Sequence, residues 1–269
     1  MNEDFKNELG IDAPSRVTGG CIHECYRVVI QKKTLFLKCN AAAFDDAFAA
    51  EADGLAGLRS AGYRAPEPQS HGVAAKRAYL LMEFLDLKGG VDFPALGRML
   101  AQAHRKSGPR YGWSRDNYIG TTPQSNTWSD DWSAFWFEQR MKPQLELAGR
   151  KGFKLGTPSP ALLQGHHPQP SLLHGDLWSG NVSFTPQGPV VFDPAVYYGD
   201  READLAMTEL FGGFPRGFYS SYEEIYPLDA GYARRKHLYN LYHLLNHLNL
   251  FGRSYLGQVE ETLGLLLRL

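Results

Sequence analysis

Two kinds of apolar spacing divide the chain into unlike parts. In the first ninety or so positions, "CYRVVI", "TLFLK" and "AYLLMEFLDL" are strand-length runs rich in β-branched and aromatic residues. Only "QKK" separates the first two, which predicts a hairpin. "AAAFDDAFAAEADGLAGLRSAG" follows as a helical segment that Gly62 ends. Ahead of the hairpin, "RVTGGCIHE" places Gly19 and Gly20 where one strand turns into the next; "YRAPEPQSHG" reads as a proline-punctuated connector.

After "KGGVD" the pattern turns mainly helical. "DFPALGRMLAQAHRKSG" has Asp92 as a cap, Pro94 in the first turn and a glycine stop. "SDDWSAFWFEQRMKPQLELAG" opens on acids, as helix N-termini do, and "GYARRKHLYNLYHLLNHLNLFG" carries apolar residues at helical spacing. "NVSF" and "VVFD" flank the turn-forming "TPQGP" and predict a hairpin centred near Gln187. The expected class is α+β, with a small β-rich lobe over residues 1–85 and a larger, mainly helical lobe over 86–269.

One position breaks the helical pattern. Phe44, Phe48, Leu55 and Leu58 form the inward stripe of the first long helix, and the missing member of the stripe is Glu51. A carboxylate on an inward face is costly unless a cation meets it, so Glu51 predicts a buried or half-buried partner.

Composition narrows the classes of function. The 269 residues are 43% hydrophobic and 21% charged with a formal net charge of −1, so no global basic field recruits nucleic acid or an anionic membrane. No apolar run reaches the roughly 20 residues that span a bilayer. The polar N-terminus "MNEDFKNELG" argues against a signal peptide. Three cysteines, Cys21, Cys25 and Cys39, read as free thiols of a cytoplasmic protein.

The chemistry concentrates in "SLLHGDLWSGNVSF" (171–184). His174, Asp176 and Asn181 have the His-x-Asp-x-x-x-x-Asn spacing of a kinase catalytic loop, in which Asp takes the substrate hydroxyl proton and Asn holds a metal. The same residues would also decorate a tight turn. The hairpin that follows favours the chemical reading, because it sets Asn181 opposite Asp193 as a pair of hard oxygen donors for Mg²⁺. Lys38 ends a strand immediately before the Glu51 helix, and a Lys–Glu pair of this kind fixes an ammonium on the phosphates of ATP. Gly19 and Gly20 would then lie in the phosphate-covering turn, although the Gly-x-Gly-x-x-Gly pattern is lacking. Met82, Glu83, Phe84 and Leu85 would link the lobes and offer backbone groups to adenine.

With these motifs in place, the chain resembles the fructosamine kinase (ketosamine-3-kinase) family nearly end to end. The resemblance is carried by "GGCIHECYRV", "EADGL", "YLLMEFL", "DNYIGTTPQSN", "DDWSAFWFEQRMKPQL", "LLHGDLWSGNV" and "DPAVYYGDREADLAMTELFGGFP". It implies a bilobal fold like that of aminoglycoside phosphotransferases and protein kinases. It also implies ATP-dependent phosphorylation of the sugar 3-hydroxyl of a ketosamine, free or on a glycated protein, as a deglycation repair. Trp178 would be the stacking platform for the sugar amine, against the alternative of a packing residue, and His247 would line the substrate pocket or pack.

The remaining candidates carry two readings each. Asp200, Glu202 and Asp204 either cap a helix or contact the protonatable amine, with Asp200 the nominated contact and Asp204 an alternative brace for the loop. Trp132 either joins the core or reaches the substrate cleft. His174 is expected to hold the loop through backbone bonds. His243 and His247 have the spacing of zinc ligands but lack the glutamate between them. Cys21, in the phosphate-covering turn, is a redox candidate whose oxidation would block ATP binding, through a disulfide-linked dimer of an otherwise monomeric chain. Aminoglycoside or choline kinases of the same fold and a nucleotide-binding pseudokinase are the alternatives. A pseudokinase would be expected to lack one of Lys38, Asp176, Asn181 and Asp193, and all are present.

Overall fold

In the computed structural model, which describes residues 1–17 and 22–268, period-two burial organises the N-terminal part. Helix α1 (Glu3–Leu9) precedes β1 (Ser15–Arg16), β2 (Glu24–Ile30) and β3 (Lys33–Ala41). Helix α2 (Asp45–Ala61), β4 (Pro68–Ala74) and β5 (Arg77–Glu83) follow. The strands form one antiparallel sheet in the order β1-β2-β3-β5-β4. Leu35, Leu37 and Cys39 of β3 pack with Leu81 of β5 and Phe5 of α1. Leu80 and Met82 pack instead with Phe48, Leu55 and Leu58 of α2. Alternation therefore turns Lys38, between Leu37 and Cys39, toward the α2 side of the sheet.

The predicted hairpin is β2–β3. Its two-residue turn, Gln31 and Lys32, has φ of 49° and 65°, the left-handed pair whose twist suits a tight hairpin. Gly62 caps α2 at φ 102°. The connector reading of "YRAPEPQSHG" is corrected in its second half, because β4 begins at Pro68. This strand lies on the sheet edge with Gln69, Ser70 and His71 exposed, so it lacks the apolar alternation that marks a strand, and an edge position tolerates the proline.

The C-terminal part is built mainly from helices, with short strands framing the loops. In order these are α3 (Phe93–His104), β6 (Asn117–Ile119), β7 (Thr122–Gln124), α4 (Trp132–Trp136), α5 (Lys142–Arg150), β8 (Ser171–Leu173), β9 (Val182–Thr185), β10 (Gly188–Val191) and β11 (Tyr197–Gly199). Then come α6 (Glu202–Leu210), α7 (Arg216–Glu223), α8 (Tyr232–Phe251) and α9 (Leu256–Leu266). Asp92 caps α3 by accepting from the Ala95 N–H at 2.8 Å. The helix predicted over "SDDWSAFWFEQRMKPQLELAG" is two helices joined by a π-turn at Phe137–Met141.

A sheet-rich N-terminal part followed by a helical one is the α+β class expected from the sequence. One apolar cluster crosses between them: Leu96 and Leu100 of α3, Leu172 of β8, Val191 of β10 and Phe218 of α7 join the α2 residues. Among the described residues, no helix is long and apolar enough to cross a membrane.

Helices α3 and α7 approach so closely that a Cβ on Gly97 would lie 2.2 Å from the Phe218 carbonyl oxygen. Gly97→Ala is expected to cost about 1–3 kcal/mol through overpacking, more than the ~1 kcal/mol of helix propensity it gains. Urea unfolding should show a lowered midpoint; an unchanged or raised midpoint would contradict this packing.

Candidate active site

Strand alternation and helix periodicity bring the first pair together. The Lys38 Nζ donates to Glu51 Oε1 at 2.6 Å, which supplies the cation that the inward carboxylate required. The same ammonium also donates to Asp193 Oδ1, so Lys38 bridges the sheet, α2 and the segment after β10. Burial by itself would lower the Lys38 pKa, but the Asp193 and Glu51 carboxylates more than reverse this and hold it above the ordinary lysine value. The Asp193 carboxyl, opposed by desolvation, is held below its ordinary value by Lys38.

The β9–β10 hairpin corrects the predicted register by one position. Thr185 pairs with Gly188 and Val182 with Val191, so Asn181 meets Phe192 rather than Asp193; the Phe192 N–H donates to the Asn181 carbonyl at 3.1 Å. A one-residue slip would turn Asp193 to the wrong face of a regular strand. The strand ends first, however, and Asp193 takes a left-handed φ of 57°. Its carboxylate is thereby directed to Lys38, while the Asn181 amide turns to Asp176. Asn181 Nδ2 donates to the Asp176 carbonyl at 2.8 Å and to its Oδ2 at 3.1 Å. Among the described residues, Asn181 Oδ1 and Asp193 Oδ2 accept no hydrogen bond. The two remain hard oxygen donors that fit Mg²⁺.

Asp176 lies in the loop between β8 and β9, with a side chain 21% exposed. Burial pushes its carboxyl up to about 7, Asp193 adds to the rise, and the Asn181 amide opposes it. The loop is held by buried Asp204 of α6, whose carboxylate accepts from the His174 N–H at 2.7 Å and the Gly175 N–H at 2.9 Å. Gly175 has φ 80°, and a Cβ there would lie 2.0 Å from the Ala195 carbonyl, so only glycine closes this turn. His174 is fully buried and pairs its Nε2 with the Phe192 carbonyl at 3.0 Å; its Nδ1 accepts from the Asp176 N–H at 3.3 Å. Burial lowers its pKa. These contacts give His174 and Asp204 the loop-holding geometry expected of them.

Trp178 is 37% exposed, which the packing alternative does not explain. Its ring stands edge-on to Phe211 at 6.4 Å, and Phe211 meets His247 of α8 at 4.7 Å. His247 also contacts Tyr255 at 5.0 Å and Phe251 at 5.5 Å, so an aromatic wall extends from the loop along the end of α8.

Other nominated residues lie elsewhere. Trp132 is buried, stacks on Phe135 and donates its Nε1–H to the Tyr239 hydroxyl at 3.0 Å; it is a core residue and not a substrate contact. Asp200 is likewise buried, accepting from the Tyr239 hydroxyl and pairing with His166 Nε2, each at 2.6 Å, and from the Glu202 N–H at 3.0 Å. Its oxygens are committed to a buried brace, which corrects its assignment to the substrate amine. Glu202, held at 2.7 Å by both Arg235 donors, is equally committed. His166, Asp200 and Glu202 bring ligand-type atoms within 4.8 Å of one another, but these bonds already occupy them. Glu83 ends β5 with its N–H given to the Glu67 carbonyl at 2.8 Å and its carboxylate paired with Arg64, so this N–H is already committed within the fold. Met82 is buried in the strand, whereas Phe84 and Leu85 follow it half-buried. Gly19, Gly20 and Cys21 lie outside the described residues.

Sequence reasoning missed His243 as a neighbour of Asp176. Its Nδ1 is 3.9 Å from Asp176 Oδ1. The available signal was its place one helical turn before His247, which was weighed only as zinc spacing.

A profile of the fructosamine kinase family matches residues 1–269. A Synechocystis protein assigned as a ketoamine kinase is 45% identical over 264 residues, covering 94% of this chain and 90% of its own. A crystal structure of a Haemophilus somnus 129PT protein assigned as a fructosamine-3-kinase superposes with a TM-score of 0.88 at 32% identity, covering 98% of this chain and 96% of that one. A thermostable mutant of an aminoglycoside phosphotransferase, APH(4)-Ia, in a ternary complex with ADP and hygromycin B shares the fold at a TM-score of 0.61 and 13% identity, covering 98% of this chain and 95% of that one. The chain belongs to the fructosamine kinase family and has its protein-kinase-like fold; it is an ATP-dependent phosphotransferase acting on a sugar hydroxyl.

The Asp204 brace makes the loop sensitive to acid. Burial would raise the Asp204 carboxyl, but His104 and the backbone N–H of Gly175 outweigh it and hold the group below the ordinary aspartate value. Its contribution to stability is complete above about pH 4 and is lost as pH falls through the lower native pKa. Asp204→Asn should cost roughly 2–4 kcal/mol at neutral pH and flatten the acid limb of Tm against pH. An acid limb identical to that of the parent would refute the brace.

Proposed function

We propose that this member of the fructosamine kinase family transfers the γ-phosphoryl group of ATP to the sugar 3-hydroxyl of ketosamines. Ribulosamines and fructosamines, on free amines or on proteins, are the substrate class, and destabilising the adduct for deglycation is the outcome. The carrying observation is a single constellation: Asp176 and the exposed Trp178 share one loop, and Asp193 of the Lys38–Glu51–Asp193 cluster is near enough to Asp176 to help raise its carboxyl.

Phosphoryl transfer depends mainly on positioning and charge stabilisation. In the proposed complex Lys38, kept charged and aimed by Glu51, meets the ATP phosphates and relaxes its hold on Asp193. Asp193 and Asn181 Oδ1 would then hold Mg²⁺, which when bound neutralises charge on the phosphate oxygens. Asp176 orients the acceptor hydroxyl and takes its proton as the new P–O bond forms and ADP leaves. Phe84 and Leu85 present backbone groups to adenine. Residues 1–85 cover the nucleotide and residues 86–269 hold the acceptor, within a monomeric cytoplasmic protein.

Trp178 and the aromatic wall supply the face for the sugar amine. The buried commitments of Asp200 and Glu202 support this reading over a polycationic aminoglycoside, which calls for uncommitted acids in the cleft.

An ADP-release assay with ribulose-lysine and fructose-lysine, against kanamycin and choline, tests the substrate class. Turnover of a ketosamine is expected, and activity on neither ketosamine would overturn the proposal. With the preferred ketosamine, Asp176→Asn should lower kcat by about 10²–10⁴-fold while ATP binding persists. Trp178→Ala should raise the ketosamine KM about tenfold, the equivalent of about 1.4 kcal/mol, with the KM for ATP unchanged. A rise in both KM values would deny Trp178 a specific acceptor contact.

A further inference from the structure

Among the described residues, His243 Nδ1 has no hydrogen-bond partner, although the residue is only 3% exposed. Its Nδ1 is fully buried and lies 3.9 Å from Asp176 Oδ1, just beyond bonding range. A buried polar nitrogen without a partner is costly in a resting protein. The cost is understandable where the bond closes in a working complex, since catalytic hydrogen bonds are often long before substrate arrives.

The setting specifies which atom donates. Burial, with His247 adding, pushes the His243 pKa down to about 3, so the ring is neutral and carries one N–H. With that proton on Nε2, Nδ1 and the ionised Asp176 carboxylate, the form that orients the acceptor, would face each other as two acceptors. With it on Nδ1, the pair becomes donor and acceptor. The ring lies on the rigid α8 with Tyr242 at 5.2 Å. The other carboxylate oxygen, Oδ2, is already held by Asn181.

We propose that His243 is a positioning residue for the phosphoryl-transfer step. When the acceptor sugar is seated, its Nδ1–H donates to Asp176 Oδ1 and, together with Asn181, holds the carboxylate in the rotamer that aims the hydroxyl. The inference rests on Asp176 as the orienting carboxylate in its ionised form, and it leaves His243 neutral throughout.

The tautomer is read first, by ¹⁵N NMR of histidine-labelled protein without acceptor, using His243→Asn to assign the signal. Protonated Nδ1 is expected, and protonated Nε2 would overturn the proposal. This arm needs no substrate, so an incorrect sugar assignment leaves it intact. The second arm compares His243→Leu and His243→Asn with the best acceptor of the panel. Leucine should lower kcat by about 10–100-fold and leave the KM for ATP unchanged. Asparagine places an amide near the position of Nδ1 and should recover most of that loss, although it removes the same ring. Parental kcat in the leucine variant, or equal impairment of the two, would also overturn the assignment. If the leucine variant fails to fold by circular dichroism, the tautomer decides it, together with the asparagine variant: a kcat within a few-fold of the parent supports the proposal, and a loss of the size set for leucine opposes it.

Discussion

The Lys38 ammonium is the charge on which the cleft depends. A lysine this buried exists only because carboxylates meet it from two directions, Glu51 on α2 and Asp193 after β10. Removing one partner of a buried pair costs about 3–5 kcal/mol, so the ammonium holds the sheet, the helix and the loop segment in register. The partners are not equivalent. The Glu51 side chain is 13% exposed, whereas that of Asp193 is 50% exposed and can return to water at lower cost. In the proposed complex this asymmetry would make Glu51 the lasting partner of Lys38 and Asp193 the one released when an anionic ligand enters.

The other side of the cleft is organised by backbone geometry. Asp193 at a left-handed φ and Gly175 pressed against the Ala195 carbonyl turn two chain segments toward each other. Asp204 then clamps the His174 and Gly175 amides from beneath. The apolar core that is continuous from α2 to α7 supports these segments.

Much of this was legible because it depends on local period. The Lys38–Glu51 pair followed from an interrupted helical stripe and from strand alternation, and His174, Asp176 and Asn181 followed from spacing within one loop. Elements without a period were opaque: β4 is a polar edge strand, and the exit from the β9–β10 hairpin turns on a single φ at Asp193. Trp132 and Asp200 were misassigned because composition does not distinguish a polar brace from a polar contact. Each belongs to the Tyr239 network, which joins residues distant in sequence. His243 was opaque for the same reason, since its relation to Asp176 exists only once α8 lies across the loop.

The same commitments bear on selectivity. Asp200, Asp204 and Glu202 are each matched by named donors, so the acidity of the "YYGDREAD" segment is spent inside the fold. In the proposed complex the acceptor would meet Asp176, a neutral histidine and the aromatic wall of Trp178, Phe211, His247, Phe251 and Tyr255. A wall of this kind attracts a single ammonium through ring faces, worth roughly 0.5–2 kcal/mol per contact. Under the proposed function, an acceptor with one amine beside a polyhydroxylated chain would suit such a wall better than one with several, with its reacting hydroxyl in reach of both Asp176 and Trp178.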